Sequence, residues 1–170
     1  MVEYSRSILK QIAQVIQCLS LQEYACSTEQ QSSVGAHIRH ILDHFSAVVD
    51  AVESGVVDYS RRARGSSIEH KPAAAIQQII DFDEILACKF SYALARKAVK
   101  LISETTDLLA EQSYLTSNMQ RELLFVASHA VHHLALIKMR FAAEHKMHQI
   151  EYLGYAPATI QALKSAPTHK

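Results

Sequence analysis

Six of the ten histidines in this 170-residue chain fall in two short stretches. GAHIRHILDHF carries His37, His40 and His44, and SHAVHHLALI carries His129, His132 and His133. Imidazole is the commonest protein ligand for a metal, and residues three or four apart lie on one face of an α-helix. His129 and His133 therefore direct two rings at a single point. His37, His40 and His44, at i, i+3 and i+7, form a second stripe that can supply a third ligand. Three neutral imidazoles plus an open position make a catalytic-type site for zinc, nickel or iron. The simpler reading is a set of hydrogen-bonded core or surface histidines. Two separate clusters, each at helical spacing in an apolar helix, favour the metal. His70, His145, His148 and His169 fall near segment ends and read as solvated.

The neighbours of these histidines narrow the chemistry. A zincin-type hydrolase has HExxH with its glutamate as general base, but Ala130 follows His129. Carboxylate-bridged di-iron bundles require E-x-x-H pairs on two helices, and neither cluster holds one. Three imidazoles leave the double charge of a bound metal uncompensated. Water in a comparable zinc site is acidified to a pKa of about 7, and a thiol is deprotonated more readily still. Activation of water and activation of a thiol both fit, and no catalytic residue is assigned. Glu122 and Asp43 are the nearest carboxylates in sequence; each is either a partner that fixes an imidazole tautomer or a plain surface or capping residue. Tyr59, Arg61 and Arg62 in DYSRR can reach over the site toward an anionic substrate. The simpler and preferred reading has the arginines fasten the loop.

These residues need helices to position them. Ile8, Ile12, Val15, Ile16 and Leu19 predict an amphipathic helix over about 3–24. Ser32 or Ser33 caps a second, whose stripe Val34, Ile38, Ile41, Phe45, Val48 and Val52 runs to Gly55. Residues 55–72 read as a connecting loop, followed from Pro72 by a third helix with Ile76, Ile79, Ile80, Leu86 and Phe90 as its buried face. AVKLISETT and EQSYLTS alternate in part, as a small hairpin or an extended crossover. Ser117 with Gln120 resembles a capping box that opens a fourth helix over about 118–147, and Pro157 suits the first turn of a short C-terminal helix. Four long amphipathic segments predict an all-α protein, a single four-helix-bundle domain over 1–170 with the metal site between facing helices.

Composition excludes other classes. Lys plus Arg and Asp plus Glu both number 17, and no dense basic stripe suited to nucleic acid is present. Cys18, Cys26 and Cys88 are scattered without a CxxC pair, which indicates neither a disulfide framework nor a zinc ribbon. With no signal-peptide pattern and no apolar run of about 20 residues, the expectation is a soluble cytoplasmic protein that contacts no membrane.

The segments SVGAHIRHILDHF, VDYSRRARGSSIE, RELLFVASHAVHHLALI and LGYAPATI, in this order, resemble the DinB-like (DinB/YfiT-like) superfamily over about residues 32–163. The H-x3-H element is the most specific part. The resemblance implies an up-down-down-up four-helix bundle, often a homodimer, that holds a divalent metal through three histidines. Its H-x3-H pair maps onto His129 and His133, and its second-helix ligand onto His40. His37, His44 and His132 then become pocket or supporting residues. Superfamily members of known activity imply a thiol-dependent transferase or a hydrolase acting on a small-molecule substrate, with a low-molecular-weight thiol as cosubstrate. The alternative is a non-catalytic, metal- or ligand-binding stress-response bundle. Related domains of sulfoxide synthases carry H-x3-H-x-E; here Ala135 stands at the glutamate position, which argues against that branch.

Overall fold

A computed structural model describes residues 1–29, 31–103, 114–144 and 146–165. Four long helices dominate: α1 (Val2–Gln17), α3 (Val34–Ser54), α4 (Pro72–Lys89) and α6 (Met119–Arg140). Short helices α2 (Leu21–Ala25), α5 (Tyr92–Ala95) and α7 (Pro157–Ser165) and strands β1 (Val56–Asp58), β2 (Ala98–Ile102) and β3 (Leu115–Asn118) complete the main elements.

The strands correct the expectation of an all-α four-helix bundle. They form a three-stranded mixed sheet in the order β1-β2-β3, with β1 parallel and β3 antiparallel to β2. Val56–Asp58 lies in a stretch that reads as loop because three residues are too short to display a period of two. Its strand character comes from its neighbour: Lys100 N–H donates to the Gly55 carbonyl and Tyr59 N–H to that of Ile102. The turn expected between AVKLISETT and EQSYLTS falls on 104–113, outside the described residues.

Capping chemistry explains where the helices depart from the expected bounds. A single helix over 3–24 does not form. Ser20 accepts from Glu23 N–H while the Glu23 carboxylate accepts from Ser20 N–H, a capping box that starts α2 afresh. Ser33 caps α3 by accepting from Ala36 N–H, and Gly55 closes it at φ 71°, a left-handed conformation that glycine adopts without a Cβ penalty. At α6 the cap is Asn118, which accepts from Arg121 N–H; Ser117 belongs to β3 and its hydroxyl serves Glu122 instead. The helix stops at Arg140 rather than near 147.

Around the bundle, α1 packs on α4, α4 on α3, α3 on α6, and α6 back on α1. Consecutive long helices α1 and α3 therefore stand diagonally, and the two histidine-bearing helices, α3 and α6, are direct neighbours. Ile8, Ile12, Val15, Ile38, Ile41, Phe45, Val48, Leu86, Leu123, Val126 and Leu134 fill the core. On α4 the buried face is Ala75, Ile79, Phe82 and Leu86; Ile80 faces outward, because Phe82 rather than Ile80 shares the stripe of Ile79 and Leu86. Gly35, in the first turn of α3, meets the Ser67–Glu69 3₁₀ turn with no space for a side chain. A Cβ there would lie inside the Glu69 carbonyl oxygen and 2.7 Å from Cε1 of Tyr24.

Candidate metal centre

The facing stripes of α3 and α6 bring five imidazoles into one cluster. His40, His44 and His129 each present a ring nitrogen within 4.8 Å of the other two, close enough to hold a metal ion. His40 Nε2 lies 3.0 Å from His129 Nε2, and His133 Nε2 lies 3.2 Å from that same atom. Two nitrogens bound to one zinc at about 2.05 Å each and a tetrahedral angle stand about 3.3 Å apart. Both spacings thus approach those of a shared coordination sphere. A hydrogen-bond network cannot satisfy the arrangement alone, since one imidazole nitrogen carries either one proton or one lone pair. His129 Nε2 can make only one linear hydrogen bond with its two neighbours, and the group whose ring nitrogens all lie within 4.8 Å of one another is His40, His44 and His129.

The other ring nitrogens are set by their surroundings. His44 Nδ1 is 2.9 Å from the His40 carbonyl. A carbonyl only accepts, so His44 carries its proton on Nδ1 and its lone pair on Nε2. His37 Nδ1 and His133 Nδ1 are 3.0 Å apart. If His133 ligates through Nε2, its Nδ1–H donates to His37, which then fixes the tautomer of its partner. His40 Nδ1 is buried without a hydrogen bond, and its ring is held edge-on by His44 at 4.5 Å and by His129 at 4.9 Å between centroids.

Burial sets the charge state. Desolvation, followed by the mutual influence of the neighbouring imidazoles and by Arg62, lowers His40 to about 3. Desolvation, then His44, His132 and Arg62, lowers His129 to about 4. His133 is lowered to about 3 by desolvation and then by His129, His37, His132 and His44. His37 and His44 are lowered too, in both cases chiefly by burial. The cluster is neutral at pH 7, the form in which imidazole ligates.

Beneath the cluster lies a polar knot inside the core. Glu122 is fully buried and accepts from the Tyr59 hydroxyl at 2.8 Å, the Ser117 hydroxyl at 2.5 Å and Arg121 Nη1 at 2.6 Å. Burial, then the charge of Glu122, raises the Tyr59 pKa, so the phenol keeps the proton it donates. The Tyr59 ring stacks on His44 at 5.0 Å and 25°, and His44 stacks on His129 at 4.3 Å and 27°. Phe125, one turn before His129, also stacks on it at 6.0 Å and 19°. Sequence reasoning passed over Phe125, although its i, i+4 spacing to His129 was an available signal, and read Ser117 as a helix cap where its hydroxyl donates to Glu122.

The remaining site residues divide. His132 is exposed and meets His133 only edge-on at 5.4 Å. Asp43 pairs with Arg39 at 2.5 Å, and Arg39 also pairs with Glu69, so this carboxylate fastens helix α3 instead of holding an imidazole. Arg61 is exposed and paired with Asp58 at 3.1 Å, a loop fastener. Tyr59 sits in the core rather than over the site. Arg62 lines a cavity of about 630 Å³ with Asp43, Asp50, Asp58 and Arg61. A second cavity of about 520 Å³ reaches the cluster through His37 and is otherwise lined by residues such as Val34, Leu136, Ile137 and Arg140. His145 and His169 lie outside the described residues.

No family model matches the chain, and no solved structure matches it. The chain is similar to FK506-binding protein 5 of Rhizopus delemar, 30% identical over 110 residues that make up 64% of this chain. The matched stretch spans 28% of that protein. Among the described residues no helix is long and apolar enough to cross a membrane.

Proposed function

We propose that this chain is a divalent-metal-dependent enzyme of the DinB-like kind, with His40, His129 and His133 as metal ligands and a thiol or a water as the activated group. The observation that carries this reading is the His40, His44 and His129 group, whose ring nitrogens all lie within 4.8 Å of one another, with His133 Nε2 3.2 Å from His129 Nε2 beside it. When bound, zinc, nickel or iron lowers the pKa of a coordinated water or thiol and so supplies a nucleophile near neutral pH. The protein contributes neutral, oriented imidazoles. His37 accepts the Nδ1 proton of His133, and the stack of Tyr59, His44 and His129 fixes the ring planes.

The two cavities suggest how a substrate is received. An apolar electrophile suits the cavity that His37 shares with Val34 and Leu136, and the other cavity, where Arg62 stands among Asp43, Asp50 and Asp58, suits a polar group. A homodimeric, cytoplasmic protein with a low-molecular-weight thiol cosubstrate belongs to the same proposal. The test is metal analysis of tag-free protein, followed by thiol consumption with a panel of electrophiles and hydrolysis of activated esters. One divalent metal per chain, lost together with turnover in His129→Ala and His133→Ala, is expected. Folded protein with no affinity for zinc, nickel or iron overturns the reading; metal without turnover leaves a binding or sensing bundle in its place.

A further inference from the structure

The cavity of about 520 Å³ beside the histidine cluster has a one-sided chemistry that the metal centre does not explain. Its size falls within the roughly 300–1,000 Å³ of small-molecule sites. Val34, Leu136, Ile137 and Met139 supply apolar walls, and among the described residues no carboxylate lines it. Leu136 and Met139 stand 40% and 72% exposed, apolar surface that an apolar guest would take out of water. Arg140 is the one cation that lines the cavity among the described residues. It donates from Nη1 to the Ser32 carbonyl at 2.8 Å and from Nη2 to the Cys26 carbonyl at 3.1 Å. Both acceptors are neutral, and among the described residues no acidic side chain pairs with it. Fastening that loop commits two of the five N–H groups of a guanidinium. The others, with the whole positive charge, remain available to an acceptor. The cavity around Arg62 differs: there Asp43, Asp50 and Asp58 outnumber the two arginines, which disfavours an anion.

We propose that this cavity binds an apolar monocarboxylate, with Arg140 pairing with the carboxylate and Val34, Leu136, Ile137 and Met139 covering the hydrocarbon. A guanidinium holds a carboxylate through two parallel N–H bonds, and one carboxylate balances the single uncompensated charge. As a binding site the cavity stands alone. As an account of the substrate, the inference rests on the metal-enzyme reading above and narrows its electrophile to an acid with an apolar body. His37 gives the connection. It lines this cavity, and its Nδ1 stands 3.0 Å from Nδ1 of His133, so the cavity and the proposed metal ligands share a wall.

Isothermal titration of the full chain, metal-free and zinc-loaded, with octanoate, octanol and octylamine tests the assignment. Octanoate is expected to bind with or without zinc, octanol roughly tenfold more weakly or worse, as befits the loss of a charged hydrogen-bond pair, and octylamine not at all. Arg140→Gln removes the charge and keeps a donor for the loop. Met139→Glu, at an exposed position, leaves the loop contacts of Arg140 in place and sets a rival carboxylate at the cavity. Each folded variant should weaken octanoate by roughly tenfold or more, and Arg140→Gln should leave octanol unchanged. Octanoate and octanol bound equally, or octanoate bound only with zinc and unaffected by either variant, overturns the pairing with Arg140. No octanoate binding to a chain that takes up zinc overturns this inference and spares the metal reading, and sedimentation then shows whether a second copy covers the face. Octanoate binding to a chain that takes up no zinc, nickel or iron supports the cavity and overturns the metal reading.

Discussion

Replacing Glu122 by Gln tests the polar knot under the site. The carboxylate has no exposure and receives three hydrogen bonds, from Tyr59, Ser117 and Arg121 at 2.5–2.8 Å. Hydrogen bonds to charged groups contribute about 1.5–3 kcal/mol, against about 1 for neutral ones. Glutamine keeps the shape and can still accept two donors, so the change removes charge assistance from all three bonds and sets an NH2 against one donor. That sums to about 2–3 kcal/mol. Breaking a fully buried ion pair costs about 3–5 kcal/mol; the lower figure applies because the Arg121 side chain is 57% exposed and can turn to water. For a domain of this size each kcal/mol moves Tm by about 2–4 °C, so a fall of about 5–10 °C is expected. Urea unfolding followed by far-UV circular dichroism should show a lower midpoint with an unchanged m-value. A loss below about 0.5 kcal/mol would refute the claim that Glu122 anchors this layer.

Gly35→Ala forces a Cβ into the Glu69 carbonyl and the Tyr24 ring and should cost about 1–3 kcal/mol in thermal melts. Gly55→Ala meets no atom within 4 Å but keeps φ 71°, so its cost should stay near 1 kcal/mol. His132→Ala removes an exposed ring outside the cluster and should change metal affinity by less than about threefold; a tenfold loss would place His132 within the site. The metal-free protein should lose stability as pH falls. His40, His129 and His133 are lowered from the usual histidine value to about 3, 4 and 3, so between pH 6.5 and 4 the unfolded chain binds more protons than the folded one. Their stabilisation is fully present above pH 6.5 and is lost progressively toward pH 3, with a slope of up to three protons near pH 5. His133→Phe should reduce that slope by about one proton in urea titrations at stepped pH, and an unchanged slope would contradict the burial of its ring.

Much of the helical scaffold and the pairing of His129 with His133 are legible without coordinates, because both rest on local periodicity. An i, i+4 pair on an apolar helix shares a face whatever surrounds it. The stripe from Val34 to Val48, a cap at Ser32 or Ser33 and the stop at Gly55 are likewise statements about neighbours in sequence. The sheet is a different matter. Val56–Asp58 becomes a strand only because Lys100–Ile102 lies beside it, a contact made across more than forty residues of intervening chain.

The same division runs through the site. Local spacing put His37, His40 and His44 on one stripe of α3 without ranking them. Their separate surroundings arise from the packing of α3 on α6: His40 faces His129, His37 faces the far nitrogen of His133, and His44 lies between Tyr59 and His129. Glu122, which could equally have been a surface carboxylate, became a buried acceptor because the fold brings the hydroxyl of Tyr59, the residue after β1, to 2.8 Å from it in the first turn of α6. Residue type and periodicity determined which groups could do chemistry. Long-range packing, which sets distances and desolvation, decided which nitrogens meet and that they do so uncharged.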